Sequence, residues 1–118
     1  MAQELSRLTA RLAEARSGIA RLARSRERVQ AQLTVLEQQE VKLGRQAARA
    51  REFGREDLAQ VAGARQQDAQ SQRAELAIQL GQLLDEEAKL TLTARRLQAR
   101  KARIYWSGLQ DQDSEDLR

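Results

Sequence analysis

The sequence contains no cysteine, no histidine and no proline, and it has a single Phe, a single Tyr and a single Trp among 118 residues. The absence of Cys excludes a disulfide framework and a thiol nucleophile. Without His or Cys, the usual zinc and transition-metal sites lack their preferred ligands, so we expect no metal and no other cofactor. So few aromatic side chains also argue against a deep globular core.

The sequence also lacks a long hydrophobic run. No charge-free apolar stretch reaches the length of a membrane-spanning helix, about 18 residues or more, and seven Arg lie among the first thirty residues. This pattern fits neither a membrane span nor a secretory signal peptide. We therefore expect a cytoplasmic protein. If it meets a membrane, we expect it to be peripheral, at the inner face of that membrane.

Ala, Leu, Gln, Glu and Arg are abundant, which is typical of coiled coils and very long helices. Apolar residues recur at alternating spacings of three and four, the heptad pattern of a seam between packed helices. The first series of seam positions is Leu5, Leu8, Leu12, Ala15, Ile19, Leu22, Arg26, Val29, Leu33, Leu36, Glu40, Leu43, Ala47 and Ala50. The second is Ala59, Ala62, Gln66, Ala69, Arg73, Leu76, Leu80, Leu83, Glu87, Leu90, Ala94, Leu97, Lys101 and Ile104.

Two series of nearly equal length predict an all-α fold, a long antiparallel two-helix coiled-coil hairpin in residues 1–108. Helix 1 is expected at about 3–52, the turn at about 53–56 and helix 2 at about 57–107. Residues 109–118 gather acidic residues with few apolar ones and no periodicity. That composition predicts a disordered acidic tail.

The turn is predicted from the only Phe and the residues that follow it. Gly54 suits the position just after a helix end, where a left-handed backbone is needed. Asp57 is expected to cap the second helix, with Gln60 completing a pair that resembles a capping box, and Glu56 suits the positive end of the helix dipole. Phe53 is expected to cover the end of the seam. The alternative is one continuous helix that tolerates Gly54 at a cost of about 1 kcal/mol.

Charged residues inside the seam give a second prediction about the hairpin. If the chain folds back at Gly54, Arg26 and Glu87 fall in adjacent layers, and so do Glu40 and Arg73. Each pair joins opposite charges. Such pairs add little net stability, and we expect them to fix the register and orientation of the two helices.

Small residues are concentrated in the seam near the turn. Gly44 and Gly63 lie beside the Ala-rich positions there. They predict a close approach of the two backbones near the turn, although Ala in particular is equally expected as a plain helix former.

The stretch FGREDLAQVAGAR, residues 53–65, resembles the hairpin turn of the phage-shock protein A family, which includes the plastid vesicle-inducing proteins and belongs to the bacterial ESCRT-III-like group. The matching positions are Gly54, Glu56, Asp57, Leu58, Ala59, Ala62 and Arg65, whereas Val61, Gly63 and Leu43 depart from the pattern. The resemblance implies an envelope-stress role, association with anionic membranes, self-assembly and, in some members, restraint of an AAA+ transcription activator. No counterpart of the family's amphipathic helix precedes the hairpin, so membrane binding is expected to be peripheral.

A run of cations without any acid lies between Ala88 and Gln110. In a hairpin it would lie beside the Arg-rich start of the chain, and such a patch suits anionic lipid headgroups. Nucleic acid would use the same charges, but no nucleic-acid-binding motif is present and stacking aromatics are scarce. A solvated basic face with no partner is the other alternative. The residues that we assign to an anionic surface are Arg95, Arg96, Arg100, Lys101, Arg103 and Trp106.

Tyr105 and Trp106 follow this basic run directly. Aromatic residues in such a place serve as interfacial anchors at membranes. The alternative, which we favour from the sequence, is that they pack across the open end of the hairpin.

Enzymatic activity is not expected. Carboxylates adjoin at Glu56 and Asp57 and at residues 85–87, but general acid–base catalysis needs them held in a cleft, which two packed helices do not provide. The sequence therefore predicts a non-enzymatic coiled-coil protein of the phage-shock protein A type, a membrane-associated structural or regulatory module. The alternative is a cytosolic coiled-coil adaptor that binds another helical protein.

The partners expected are the chain itself or a longer family member, an anionic membrane surface and, by family analogy, an AAA+ transcription activator. Self-association follows from apolar residues left off the seam, because a two-helix domain buries little surface by itself. These residues are Val35, Val41, Ile78, Leu84 and Leu92.

Overall fold

The computed structural model describes residues 2–116, with side-chain environments for residues 2–110. It contains two α-helices, α1 from Ala2–Glu52 and α2 from Glu56–Asp116. The protein is an all-α antiparallel helical hairpin, which confirms the predicted fold class. The chain divides into two compact units. The terminal unit joins residues up to Ala23 with those from Asp85 onward, and the turn unit contains Arg24–Leu84.

The seam positions explain how the helices are buried. Every seam position of both series is buried or half-buried, whereas most other residues between 2 and 110 are exposed. Spacings of three and four keep these positions on one side of each helix. The helices are therefore held by one narrow stripe, and their remaining faces meet solvent.

In the terminal unit, the buried cluster is made by Leu8, Leu12, Ala15 and Leu97. Leu90, Ala94 and Ile104 pack against it. Burial of each Leu contributes about 1.5–3 kcal/mol. Residue numbers rise along α1 as they fall along α2, because Glu4 meets Arg100 and Gly18 meets Leu90. The two helices are antiparallel within this unit.

Gly18 lies against Leu90 in the terminal unit. A Cβ at this position would lie 2.6 Å from Cδ2 of Leu90. Real Cβ atoms do not come that close, so only glycine fits without movement of Leu90. Next to the turn, the sequence predicted a close approach at Gly44 and Gly63. A Cβ at Gly44 would lie 3.0 Å from Nε2 of Gln66, and one at Gly63 would meet nothing within 4 Å.

In the turn unit, the core consists mainly of small side chains. Its buried residues are Leu36, Ala47, Ala59, Ala62 and Ala69. With four Ala among them, this core gains less from apolar burial than the Leu-rich terminal unit.

Glu40 and Arg73 form the ion pair that the register predicted. Nη2 of Arg73 donates to Oε1 of Glu40 at 3.3 Å, and its Nε lies 2.8 Å from Oε2. The Nε–H is not aligned for a hydrogen bond, so the shorter contact acts as charge attraction. Only 15% of the Glu40 side chain is exposed. This pair joins α1 to α2 in the turn unit, and its role in fixing the register stays a prediction.

The second predicted register pair stays a prediction. Arg26 is half-buried in the turn unit, and its Nη1 donates to Oε1 of Gln30 at 3.5 Å. Glu87 is a half-buried seam residue of the terminal unit.

The end of α1 is a Schellman motif built on Gly54. The amide of Arg55 donates to the carbonyl of Ala50 at 2.8 Å, and the amide of Gly54 donates to the carbonyl of Arg51 at 3.0 Å. Gly54 has a φ of 68°, in the left-handed region that a side chain disfavours. The turn therefore lies where the sequence predicted it, and the two helices do not merge.

The capping of α2 differs from the prediction. The carbonyl of Arg55 accepts from the amide of Ala59 at 3.1 Å, which makes Arg55 the N-cap and places Asp57 inside the first turn. The prediction that Asp57 is the N-cap and pairs with Gln60 was therefore wrong, because the N-cap lies two residues earlier. Instead, Nε and Nη2 of Arg55 donate to the two oxygens of Asp57 at 3.2 and 3.0 Å. This guanidinium, and then the amide of Leu58, lower the pKa of Asp57, and the same contact raises the pKa of Arg55.

Two further expectations are corrected. Phe53 does not cover the end of the seam, since it is 73% exposed. Phe53 follows the last residue of α1, Glu52, at the start of the turn. Helix α2 continues to Asp116, so residues 109–116 have helical backbone where we expected a disordered tail. No proline interrupts this segment, and Gly108 costs a helix only about 1 kcal/mol. Residues 117 and 118 of that tail lie outside the described residues.

Candidate functional site

The candidate site is the side of α2 that faces away from α1 in the terminal unit. Residues spaced by three, four or seven lie on one side of a helix. Ala99 lies seven residues after Leu92 and seven before Trp106. This row lies opposite the seam. We name it the outer basic face, and its residues are Leu92, Arg95, Arg96, Ala99, Arg103 and Trp106.

The apolar members of this face are unusually exposed for their size. Leu92 is 46% exposed and Trp106 is 63% exposed. The rings of Trp106 and Tyr105 meet edge to face, with centroids 6.4 Å apart. Tyr105 is itself exposed. The two rings thus do not pack across the open end of the hairpin, which corrects the alternative favoured from the sequence.

The cations of this face surround the apolar row. Arg95, Arg96 and Arg103 are all exposed. No acidic residue occurs between positions 88 and 110. Arg95, Arg96 and Arg103 therefore have no acidic residue three or four positions away along the helix. A surface with an apolar centre and a basic margin suits a membrane surface, where anionic headgroups cover an apolar interior.

Two residues of the predicted anionic-surface set lie elsewhere. Nη2 of Arg100 donates to Oε1 of Glu4 at 2.8 Å, so this side chain reaches toward α1. Lys101 is a half-buried seam residue. Arg100 follows Arg96 by four residues and so borders the outer basic face, but its guanidinium is held by Glu4. Lys101 is turned onto the seam by the 100° step between successive helical residues.

A shallow apolar groove of about 470 Å³ runs beside this face between α1 and α2 of the terminal unit. Leu12, Ile19 and Ala94 form its floor. Arg16 and Arg95 stand on its two walls, and Nη2 of Arg16 donates to Oε1 of Gln98 at 3.3 Å. Arg95 therefore belongs both to the groove and to the outer basic face, and it extends the positive surface toward α1.

Leu92 and Ala99 are the members of the site that sequence reasoning did not assign to it. Leu92 was recognised only as an apolar residue off the seam. Its spacing of seven from Ala99 and fourteen from Trp106 is the signal that would have placed it on the basic side.

Within residues 2–116, neither helix includes a segment long and apolar enough to cross a bilayer.

Comparison of the chain with protein-family models, with curated proteins and with solved structures found no match. The resemblance to the phage-shock protein A family thus depends on the residues of the turn. Gly54 and Asp57, two of those residues, have structural roles in the hairpin, the first at the end of α1 and the second beside Arg55. The family assignment stays a prediction.

Proposed function

We propose that this chain is a non-enzymatic coiled-coil module that binds anionic membrane surfaces peripherally through the outer basic face. The observation that supports the proposal is the exposed row of Leu92 and Trp106 in line with Arg95 and Arg103. A solvated basic face needs only the arginines. Exposed Trp and Leu at its centre are useful where one side meets apolar material.

The expected affinity is modest. Each basic residue near an anionic membrane contributes about 1 kcal/mol, so Arg95, Arg96 and Arg103 together contribute about 3 kcal/mol. That corresponds to roughly a hundredfold preference for anionic over neutral lipid. Because exposed charges are screened over about 8 Å at physiological ionic strength, the preference should fall as salt is added. Binding of this kind is reversible and suits a regulatory or structural module.

The resemblance of the turn extends the proposal to a role of the phage-shock protein A type in the envelope-stress response. In that role the hairpin would exchange between a membrane surface and protein partners, an AAA+ activator among them. This wider role rests on the turn residues and depends on the membrane interaction, which is therefore the step to test first.

The experiment is co-sedimentation with vesicles of phosphatidylcholine, with and without about one third phosphatidylglycerol. The test variant is Arg95→Glu with Arg103→Glu. Its matched control is Arg45→Glu with Arg49→Glu, which makes the same charge change at two exposed positions of α1 in the turn unit. We expect the test variant to lose at least about thirtyfold in binding to anionic vesicles, from about 2 kcal/mol for two removed cations.

The control should retain most of its binding, and both variants should keep the helicity of the parent chain by circular dichroism. An equal loss in both variants would mean that net charge alone drives adsorption. Negligible binding of the parent chain to both kinds of vesicle would remove the membrane role and leave a coiled-coil adaptor as the better function.

A further inference from the structure

A second groove lies in the turn unit, on one flank of the seam. It has a volume of about 580 Å³ and an apolar floor of Val35, Leu36 and Leu76. Val35 is 51% exposed even though it adjoins the buried Leu36. The two helices therefore leave an apolar strip that they do not cover themselves.

Four glutamines and one carboxylate, Glu75, form the rim of this groove. Gln32 and Gln39 are seven residues apart on α1, and Gln72 and Gln79 are seven apart on α2. A glutamine amide has both donors and an acceptor, so it can pair with another glutamine. A rim of several like charges would repel a copy of itself, whereas a rim of four glutamines and a single carboxylate can face its own copy with little repulsion.

The charges outside the rim differ in sign between the two helices. Lys42 lies seven residues after Val35 on α1, and Asp68 lies seven before Glu75 on α2. All three charged side chains are exposed. Gly44 meets Gln66 across the seam, so Lys42 and Asp68 lie at nearly the same level of the turn unit. The α1 margin is basic at the level where the α2 margin is acidic.

The thin core of the turn unit also favours a partner. The core of the turn unit is mostly Ala, which limits its own stability. Covering the groove would remove apolar surface at the place where the core is thinnest.

We infer that this groove is a docking surface for a second copy of the chain. A twofold axis along the groove would place α1 of each copy on α2 of the other, with all neighbouring helices antiparallel. The glutamine rims then face each other, and Lys42 of each copy meets Asp68 of its partner. The alternative twofold arrangement, with α1 on α1, would set the basic α1 margins against each other and the acidic α2 margins against each other. This surface belongs to the turn unit and is separate from the outer basic face, so it goes beyond the proposed membrane function.

The test is the oligomeric state of the full chain by sedimentation velocity over a range of concentrations. We expect a dimer that dissociates on dilution. Val35→Asp should shift the dissociation constant upward by at least a hundredfold, because it places two carboxylates in the apolar strip. Lys42→Asp and Asp68→Lys should each weaken the dimer at least tenfold, since each creates two like-charged pairs. Arg45→Asp, an equal charge change on the outward side of α1, should leave it unchanged.

A mixture of two variants tests which helices of the two copies face each other. In an equimolar mixture of the Lys42→Asp and Asp68→Lys chains, the heterodimer regains both opposite-charge pairs and should form with nearly the parent affinity. This rescue does not depend on whether the Val35 variant folds. A parent chain that is monomeric throughout, or a mixture no stronger than the separate variants, would overturn the inference. Failure of vesicle binding would leave it intact.

Discussion

Substitution of Gly18 tests the packing of the terminal unit more sharply than any other single change. Replacement of a glycine inside a helix by alanine normally stabilises the helix by about 0.8–1 kcal/mol. At position 18, the new Cβ would stand 2.6 Å from Cδ2 of Leu90. Leu90 must then turn or the helices must separate, and overpacking of this kind costs about 1–3 kcal/mol. We therefore expect Gly18→Ala to be destabilising by about 1 kcal/mol.

Gly81 supplies the matched control, because it also lies inside a helix and a Cβ there meets nothing within 4 Å. Gly81→Ala should stabilise the chain by nearly the full helix-propensity gain. The free energy of unfolding would be measured by urea denaturation followed by circular dichroism, at one protein concentration for all variants. The predicted signature is an opposite sign for two identical substitutions.

Leu90→Ala separates the contact from other causes. By itself it removes apolar burial and should destabilise by about 2–4 kcal/mol. In the Gly18→Ala background the clash is absent, so the double variant should be more stable than the sum of the single effects by at least about 1 kcal/mol. If Gly18→Ala stabilises the chain as much as Gly81→Ala does, the helices are not packed at this point as the structure shows.

Three further predictions concern the turn unit. Glu40→Gln should cost about 1–2 kcal/mol of unfolding free energy, because it leaves a half-buried guanidinium without its counter-charge. Glu4→Gln breaks a more exposed pair and should cost less than about 1 kcal/mol. A larger loss for Glu4→Gln than for Glu40→Gln would contradict this ranking. Gly54→Ala should cost about 1–2 kcal/mol in the same assay, since its φ of 68° disfavours any side chain, and an unchanged stability would contradict the turn. The pKa of Asp57 is lowered in the folded chain, so its contribution is complete above the unfolded pKa and is lost as the pH falls through the lower folded pKa; Asp57→Asn should therefore reduce the melting temperature at about pH 7 and make little difference at about pH 2.

The fold could be predicted because its main determinants are local and periodic. The spacing from Leu5 to Ala50 places one side of a helix against a partner whatever that partner is. Gly54 is recognisable because few other residues adopt its backbone conformation. Asp57 was misplaced by two positions because an acid is equally suited to the N-cap and to the first turn of a helix, and only the hydrogen bond of Arg55 distinguishes them.

The candidate site was only partly predictable. Charge along the sequence indicated a basic region, but the direction of each side chain depends on where the seam lies. Arg100 and Arg103 look alike in sequence, and only one of them is free of the ion pair with Glu4. Gly18 gave no signal, since its neighbours in sequence do not show that Leu90 approaches it.

Trp106 provides the most direct test of the proposed membrane role, because it is the only tryptophan in the chain and lies on the outer basic face. Its emission would be followed while the parent chain is titrated with anionic vesicles and, separately, with neutral vesicles, at low and at physiological salt. We predict a blue shift with anionic vesicles alone, which weakens as salt rises and is lost in the Arg95→Glu, Arg103→Glu variant. An emission spectrum that stays unchanged with both kinds of vesicle, or shifts equally with both, would contradict binding through this face.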